Sequence, residues 1–195
     1  MARTREFDEA KVIDIATNLF WKNGYHGVST QDLIDAFGMS KSSMYGAYHD
    51  KRNLFILALE NYRKNASQGM VDAMKSNKSL KETIELLLNN IITETVGDED
   101  CKGCFIVNTA IELAAHDSGI ADILRENREN IIKAFTNAIQ KGIDNQELAP
   151  SNNPHAIANY FYSLINGMRV DAKIHKDRSQ YSEIVSVALS ILQKA

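Results

Sequence analysis

Apolar residues recur three and four positions apart along most of the chain, and proline occurs only at positions 150 and 154. That spacing lays an apolar stripe along one helix after another and gives little of the strict alternation that half-buried strands require. The expected fold class is therefore all-α, with about nine helices counted from the stripes and their breaks. At 195 residues and 44% hydrophobic, the chain can bury a sizeable core without disulfide staples. Charged residues make up 24% and the net charge is −3, which excludes a disordered chain and a wholly basic nucleic-acid coat. Any anion-binding face must be local. No apolar run is long enough to span a membrane, and the stretch Met1–Asp8 has no apolar signal core, so a cytoplasmic protein without membrane contact is expected.

The stripe Phe7, Ala10, Val12, Ile13, Ala16, Leu19, Phe20 predicts a first helix ending near Gly24. Ser29 stands three residues before Asp32, a capping box with a shortened acid, and Leu33, Ile34 and Phe37 follow before Gly38. Ser40 can cap a second short helix through Tyr48, and Asp50 the next. Residues 29–48 thus read as helix, tight turn, helix. From Lys51 an apolar pattern runs through Met74, suited to a rod between two bodies, and Ser79-x-x-Glu82 opens the following helix. Further helices are expected from Phe105 to Ala115, from about Ile120 to Ile143, and, after the start signal Asn153-Pro154, over His155–Ile174 and Ser179–Gln193. The first 66 residues carry a net charge of +1 and the remainder −4, which directs any DNA-binding role to the amino-terminal part.

A helix pair joined by a short turn can place its second helix in the major groove of DNA, provided that helix presents small polar residues and a free amino end for phosphate. Lys41, Ser42 and Ser43 supply these features. The run Ala16-x-x-Leu19-Phe20, Gly24-Tyr25, Ser29-x-x-Asp32-Leu33-Ile34, Gly38-Met39-Ser40-Lys41, Tyr45-x-x-Tyr48 and Lys51-x-x-Leu54 resembles the amino-terminal signature of the tetracycline-repressor (TetR) family of bacterial transcription regulators over about residues 6–66. Val28, Ile34, Ser42 and Tyr48 depart from the residues usual in that signature. The resemblance implies a TetR-type DNA-binding domain over 6–66, its helix-turn-helix over 29–48, and an effector-binding and dimerisation domain over 67–195. It implies that Ser40, Lys41, Ser42, Ser43 and Tyr45 meet base edges or phosphates, that Ser29, Thr30 and Gln31 meet the backbone, and that Tyr48 and Lys51 clamp phosphates. Tyr45 has a second reading as a core aromatic. Arg3 and Arg5 are candidates for a flexible arm, while Arg52 reads as a solvated residue and Phe20, Leu33, Phe37 and Leu54 as core.

One such module makes too few contacts for tight specific binding, so two copies on a palindromic double-stranded operator are expected. The family resemblance implies a homodimer through the last two helices, whose stripes could equally be buried within one subunit. It also implies an unidentified small-molecule or reactive effector that releases a repressor from its operator. No cofactor, metal or enzymatic activity is expected. Candidate pocket residues are Cys104, Phe105, Asn108, Glu112, His116, Tyr160, Tyr162, Asn166 and Met168. Asn108, Glu112 and His116 recur every four residues and share one helix face, either for function or to bond neighbouring helices or water.

Cys101-Lys102-Gly103-Cys104 leaves four readings open: a metal site lacking a second ligand pair, a redox pair lacking a βαβ setting, a sensing thiol at a helix start, or inert cysteines. Some regulators of similar sequence at this place sense electrophiles through a cysteine. Enzymatic signatures are missing: there is no Gly-x-Ser-x-Gly elbow, phosphate-cradling glycine loop or His-Glu-x-x-His helix. Cys104 and His116 stand twelve residues apart, too far along one helix for a catalytic dyad. The competing class is a helical adaptor or thiol redox protein without operator binding.

Overall fold

The computed structural model describes residues 8–151 and 153–192. Arg3, Arg5 and Phe7 lie outside the described residues. Among those described, ten α-helical segments follow one another: α1 (Glu9–Gly27), α2 (Thr30–Phe37), α3 (Lys41–Tyr48), α4 (Lys51–Tyr62), α5 (Gln68–Ala73), α6 (Leu80–Val96), α7 (Phe105–Leu113), α8 (Ser118–Asp144), α9 (Pro154–Asp171) and α10 (Arg178–Ser190). A π-helical turn, Arg63–Ser67, joins α4 to α5 without a break, so these segments form the rod expected from Lys51 onward. No helix among the described residues is long and apolar enough to cross a membrane.

Local chemistry sets most of the boundaries. The side chains of Asp8, Ser29, Ser40, Asp50, Ser79, Asp117, Asn153 and Asp177 each accept a backbone N–H in the first turn of their helix. Both expected capping boxes are complete, with Asp32 and Glu82 returning the bond to Ser29 and Ser79. Gly38 closes α2 in the left-handed region at φ 61°, a conformation that carries no Cβ penalty in glycine. The regular part of α1 ends at Gly24, whose φ of 76° breaks the helix just past the buried Phe20.

Two apolar cores result. The larger one gathers α6, α8, α9 and α10 around Ile84, Leu88, Phe135, Phe161, Ile165 and Tyr181. The second fills the amino-terminal head, formed by α1–α4, with Phe20, Leu33, Met44, Leu54 and Phe55. Cys104, Phe105, Ile106, Leu113, Ile120 and Leu124 from α7 and the start of α8 complete this second core, so the head's packing reaches well beyond residue 66. Phe105 stacks edge-on against Phe55 at 5.4 Å and Tyr62 at 5.7 Å. Helix α7 is therefore seated in the head while connecting directly to the carboxyl-terminal bundle.

Candidate nucleic-acid interface and effector site

Helix α3 divides its residues between two faces. Met44 and Tyr48 point into the head core, and Lys41, Ser42, Ser43, Tyr45, Gly46 and Ala47 are exposed. Ser40 Oγ accepts from the Ser43 amide at 3.2 Å and lies within hydrogen-bond distance of the Ser42 and Ser43 hydroxyls, which fixes three hydroxyls at the amino end of the helix. Free amides and the helix dipole at that end favour an anion. Tyr45 is 39% exposed, with the Lys41 ammonium 6.0 Å from its ring centroid, so the ring stands on the open face rather than in the core. A Cβ built on Gly46 meets nothing, and that face stays low enough for close approach. Gly46 and Ala47 carry no polar group, and nothing in the sequence singles them out.

The start of α2 lies on the surface as well: Ser29 and Gln31 are exposed, Thr30 is half-buried, and Gln31 Nε2 donates to Asp35 at 2.8 Å. Neither expected phosphate clamp stands open on the surface. Tyr48 is only 5% exposed and packs its ring in the head core, where burial and then the charge of Glu9 push its phenol above its ordinary value. Lys51 is half-buried with its ammonium 4.3 Å from the Tyr25 ring centroid, and desolvation holds its pKa below the usual lysine value against the pull of Glu112 and Asp32.

The candidate pocket residues separate into four groups. Cys104, Tyr162 and Asn166 line one small cavity of about 10 Å³ together with Tyr62, Ser67, Met70, Asn127 and Arg169. Phe105 and Met168 are buried in the two cores, Phe105 in the head and Met168 in the bundle. Glu112, His116 and Tyr160 do not join the cavity: His116 and Tyr160 are exposed, and Glu112 is turned toward the head. Asn108 closes the preceding loop by donating to the Lys102 carbonyl at 2.7 Å.

The Glu112 carboxylate accepts from the backbone amides of Tyr25 at 2.9 Å and His26 at 2.8 Å. A Cβ on Gly24 would lie 2.9 Å from the same carboxylate, so the glycine serves both the positive φ and this close approach. Arg52, solvated as expected with its side chain 42% exposed, also forms a two-pronged pair with Asp117, Nε to Oδ2 at 2.6 Å and Nη2 to Oδ1 at 2.8 Å. That hydrogen bond, aided by the Ile120 amide, holds the Asp117 carboxyl far below the usual carboxylate range. Two carboxylates at the α7–α8 corner thus grip the head, at the end of α1 and on α4.

Cys104 is 5% exposed, and its Sγ accepts from Arg169 Nη1 at 3.6 Å and Tyr62 Oη at 3.7 Å. Burial, then the neighbouring Cys104, raises the Tyr62 phenol. Lys102, close in sequence, turns away onto the Trp21 ring, 4.5 Å from its centroid. The cation beside this thiol is therefore Arg169, 65 residues away in the chain. A second, open cleft of about 1100 Å³ runs between α1, the α4–α5 rod, α6 and the loop before α7, walled by Trp21, Tyr62, Leu87, Ile91, Asp98 and Arg169 among others. Sequence spacing carries no signal for Trp21, Tyr62, Asn127 or Arg169, since four separate segments bring them together.

Residues 12–58 match the family model described as bacterial regulatory proteins, tetR family, and residues 83–188 match that of the tetracyclin repressor-like C-terminal domain. An uncharacterised HTH-type transcriptional regulator of Bacillus subtilis (strain 168), YezE, is 30% identical over 98% of this chain and 100% of its own. The chain belongs to the TetR family of bacterial transcriptional regulators. Within that family, the HTH-type transcriptional repressor ComR of Escherichia coli (strain K12) is 22% identical over 97% of the chain and 90% of its own. Among solved structures, the TetR family transcriptional regulator CifR, as a double cysteine mutant complexed with 26-bp double-strand operator DNA, is 27% identical with a TM-score of 0.85, covering 96% of this chain and 98% of that one. The reduced form of Escherichia coli NemR, 17% identical with a TM-score of 0.84 over 94% and 95%, shares the fold. The stretch between the two TetR matches holds the end of α4, the π turn, α5 and the start of α6, so the matched halves are joined by the rod.

Proposed function

We propose that the protein is a homodimeric repressor that binds a palindromic operator through residues 6–66 and is released when an effector occupies the 67–195 unit. The observation that carries this reading is the two-faced α3, which buries Met44 and Tyr48 and leaves Lys41, Ser42, Ser43 and Tyr45 on a low, open surface at a helix amino end. Ser29, Thr30 and Gln31 sit beside it for backbone contacts, and Lys51 can leave Tyr25 for a phosphate. Dimerisation is assigned to α9, α10 and the turns at their ends, where Tyr160, Val170, Ile174, Val187 and Ile191 remain exposed, Ile174 at 88%. With operator DNA as its partner, the protein is read as cytoplasmic.

Release follows from the corner grips. An occupant of the cleft or the Cys104 cavity displaces α7 or Arg169, and Glu112 and Asp117 carry the shift to α1 and α4 of each head. A change in head separation then lowers affinity for a site of fixed spacing. Modification of the Cys104 thiol is one such event, because the sulfur is the acceptor that Arg169 and Tyr62 share. Treatment with a thiol electrophile should release operator DNA from the parent and leave Cys104→Ser bound; release of both equally would remove Cys104 from the mechanism. Selection of bound duplexes from a random pool tests the operator reading, with two half-sites at one spacing expected. A helical adaptor would select none.

A further inference from the structure

The cavity beside Cys104 sets several polar groups among apolar walls and holds no carboxylate. Its polar walls are the Tyr62 and Tyr162 phenols, the Ser67 hydroxyl, the Asn127 and Asn166 carboxamides, the Cys104 thiol and the Arg169 guanidinium. Asn127 is 3% exposed, and neither its carboxamide nor that of Asn166 has a hydrogen-bond partner among the described residues. Buried amide groups are ordinarily paired, so the open one of Asn127, with the half-buried Asn166 beside it on the same space, calls for an occupant. Arg169 has the same deficit. Its Nη1 donates to Cys104 Sγ at 3.6 Å and Met70 Sδ at 4.0 Å, both weak acceptors, and among the described residues no carboxylate comes within ion-pair distance. A guanidinium placed this way has two or more unused donors, and the carboxylate of Glu94 acts on it only through space, without a hydrogen bond.

We propose that the effector is an amphiphilic organic acid with a single carboxylate, whose oxygens take the Arg169, Asn127 and Asn166 donors while its apolar body lies in the cleft against Trp21, Leu87 and Ile91. Arg169, Tyr62, Ala66 and Met70 line both spaces and so form the wall between them. Arg169 and Met70 are long and unbranched, and a rotamer change joins the cavity, now roomy enough for about one water, to the cleft. The cleft's other charges set the limit on the ligand. Asp14, Glu94, Asp98, Glu99 and Asp100 line it against Lys102, an arrangement that repels polyanions such as nucleotides and leaves Arg169, deep in the wall, as the seat for one negative charge. This proposal deepens the effector-release reading and rests on it.

The test separates head-group chemistry from chain length. Without DNA, the thermal midpoint is followed with octanoate, octanol and octylamine, and with phenylacetate against 2-phenylethanol. At least one carboxylate should raise the midpoint where its matched alcohol and amine do not. Arg169→Met should weaken that carboxylate about tenfold or more while keeping the apolar stem. Should Arg169→Met fail to fold, Asn166→Ala reads the same loss. Stabilisation by alcohol and carboxylate alike, no response to either carboxylate, or an undiminished response in both variants would overturn the proposal. Operator binding is measured separately: a carboxylate that binds through Arg169 yet leaves operator affinity unchanged keeps the site and refutes the release reading instead.

Discussion

The exposed face of α3 and the cavity around Arg169 are both polar surfaces on helices, yet they are built in opposite ways. On α3 every contributing residue lies within a stretch of nine, and the same stretch supplies its own cap, its buried anchors Met44 and Tyr48, and its open face. The cavity takes its residues from the rod, α7, α8 and α9, and none of these segments signals its role alone. A surface written in consecutive residues can be kept intact while the rest of the chain diverges; a cavity assembled from distant segments changes with any one of them. Helix α7 is where the two meet, since its buried side packs in the head core and its ends hold Cys104 and Glu112.

The largest expected effect removes that meeting point. Phe105→Ala deletes a ring packed on Phe55 and Tyr62 and should destabilise the protein by about 3–5 kcal/mol, read by denaturant unfolding. If the head were independent of α7, a head-specific probe such as DNA binding would survive the change unaltered. Next comes Glu112→Ala, which strips the acceptor from two backbone amides and should cost about 1–3 kcal/mol. Its more telling consequence is uncoupling: operator binding persists while the effector response shrinks. An unchanged response would place the coupling elsewhere.

Within the head, Ser42→Ala or Lys41→Ala should change discrimination at one base position by about 1–3 kcal/mol without altering stability, checked by competition among single-base operator variants. Lys51→Ala should weaken all sequences together and lower the salt slope by about one, and an unchanged slope would show that Lys51 stays on Tyr25 in the complex. The smallest effect is a predicted flatness. Because Arg52 holds the Asp117 carboxyl below its unfolded value, the contribution of that pair is complete above the ordinary carboxylate range and is lost only as pH falls through the depressed folded value. Stability should thus be insensitive to this pair between about pH 5 and 8, and Asp117→Asn should remove this pair's share of the difference between neutral and strongly acidic solution.

The legibility of the sequence follows the same divide. Ser29 with Asp32, Gly38, Ser40, Asp50 and Ser79 with Glu82 act over three or four residues, so caps and turns can be read directly and the all-α fold with its two-helix motif follows. Tyr48 misleads because a family position says nothing of which side of an eight-residue helix it occupies; four residues from Met44, it shares the buried face. Arg52 is solvated as it reads, but its partner Asp117 stays hidden because it lies 65 residues on. The Asn108, Glu112, His116 stripe is visible, but only contacts with the Lys102 carbonyl and the Tyr25 and His26 amides reveal that its first two members tie segments together while the third meets solvent. Arg169 carries no local pattern at all.

The most direct test is to select duplexes from a randomised pool with the purified protein at low ionic strength and sequence those that bind. Two inverted half-sites at one fixed separation, with preference altered by Ser42→Ala and retained by Arg169→Met, are predicted. Enrichment of no palindrome, or of one unaffected by substitution on α3, would contradict the reading of α3 as the helix that meets the bases.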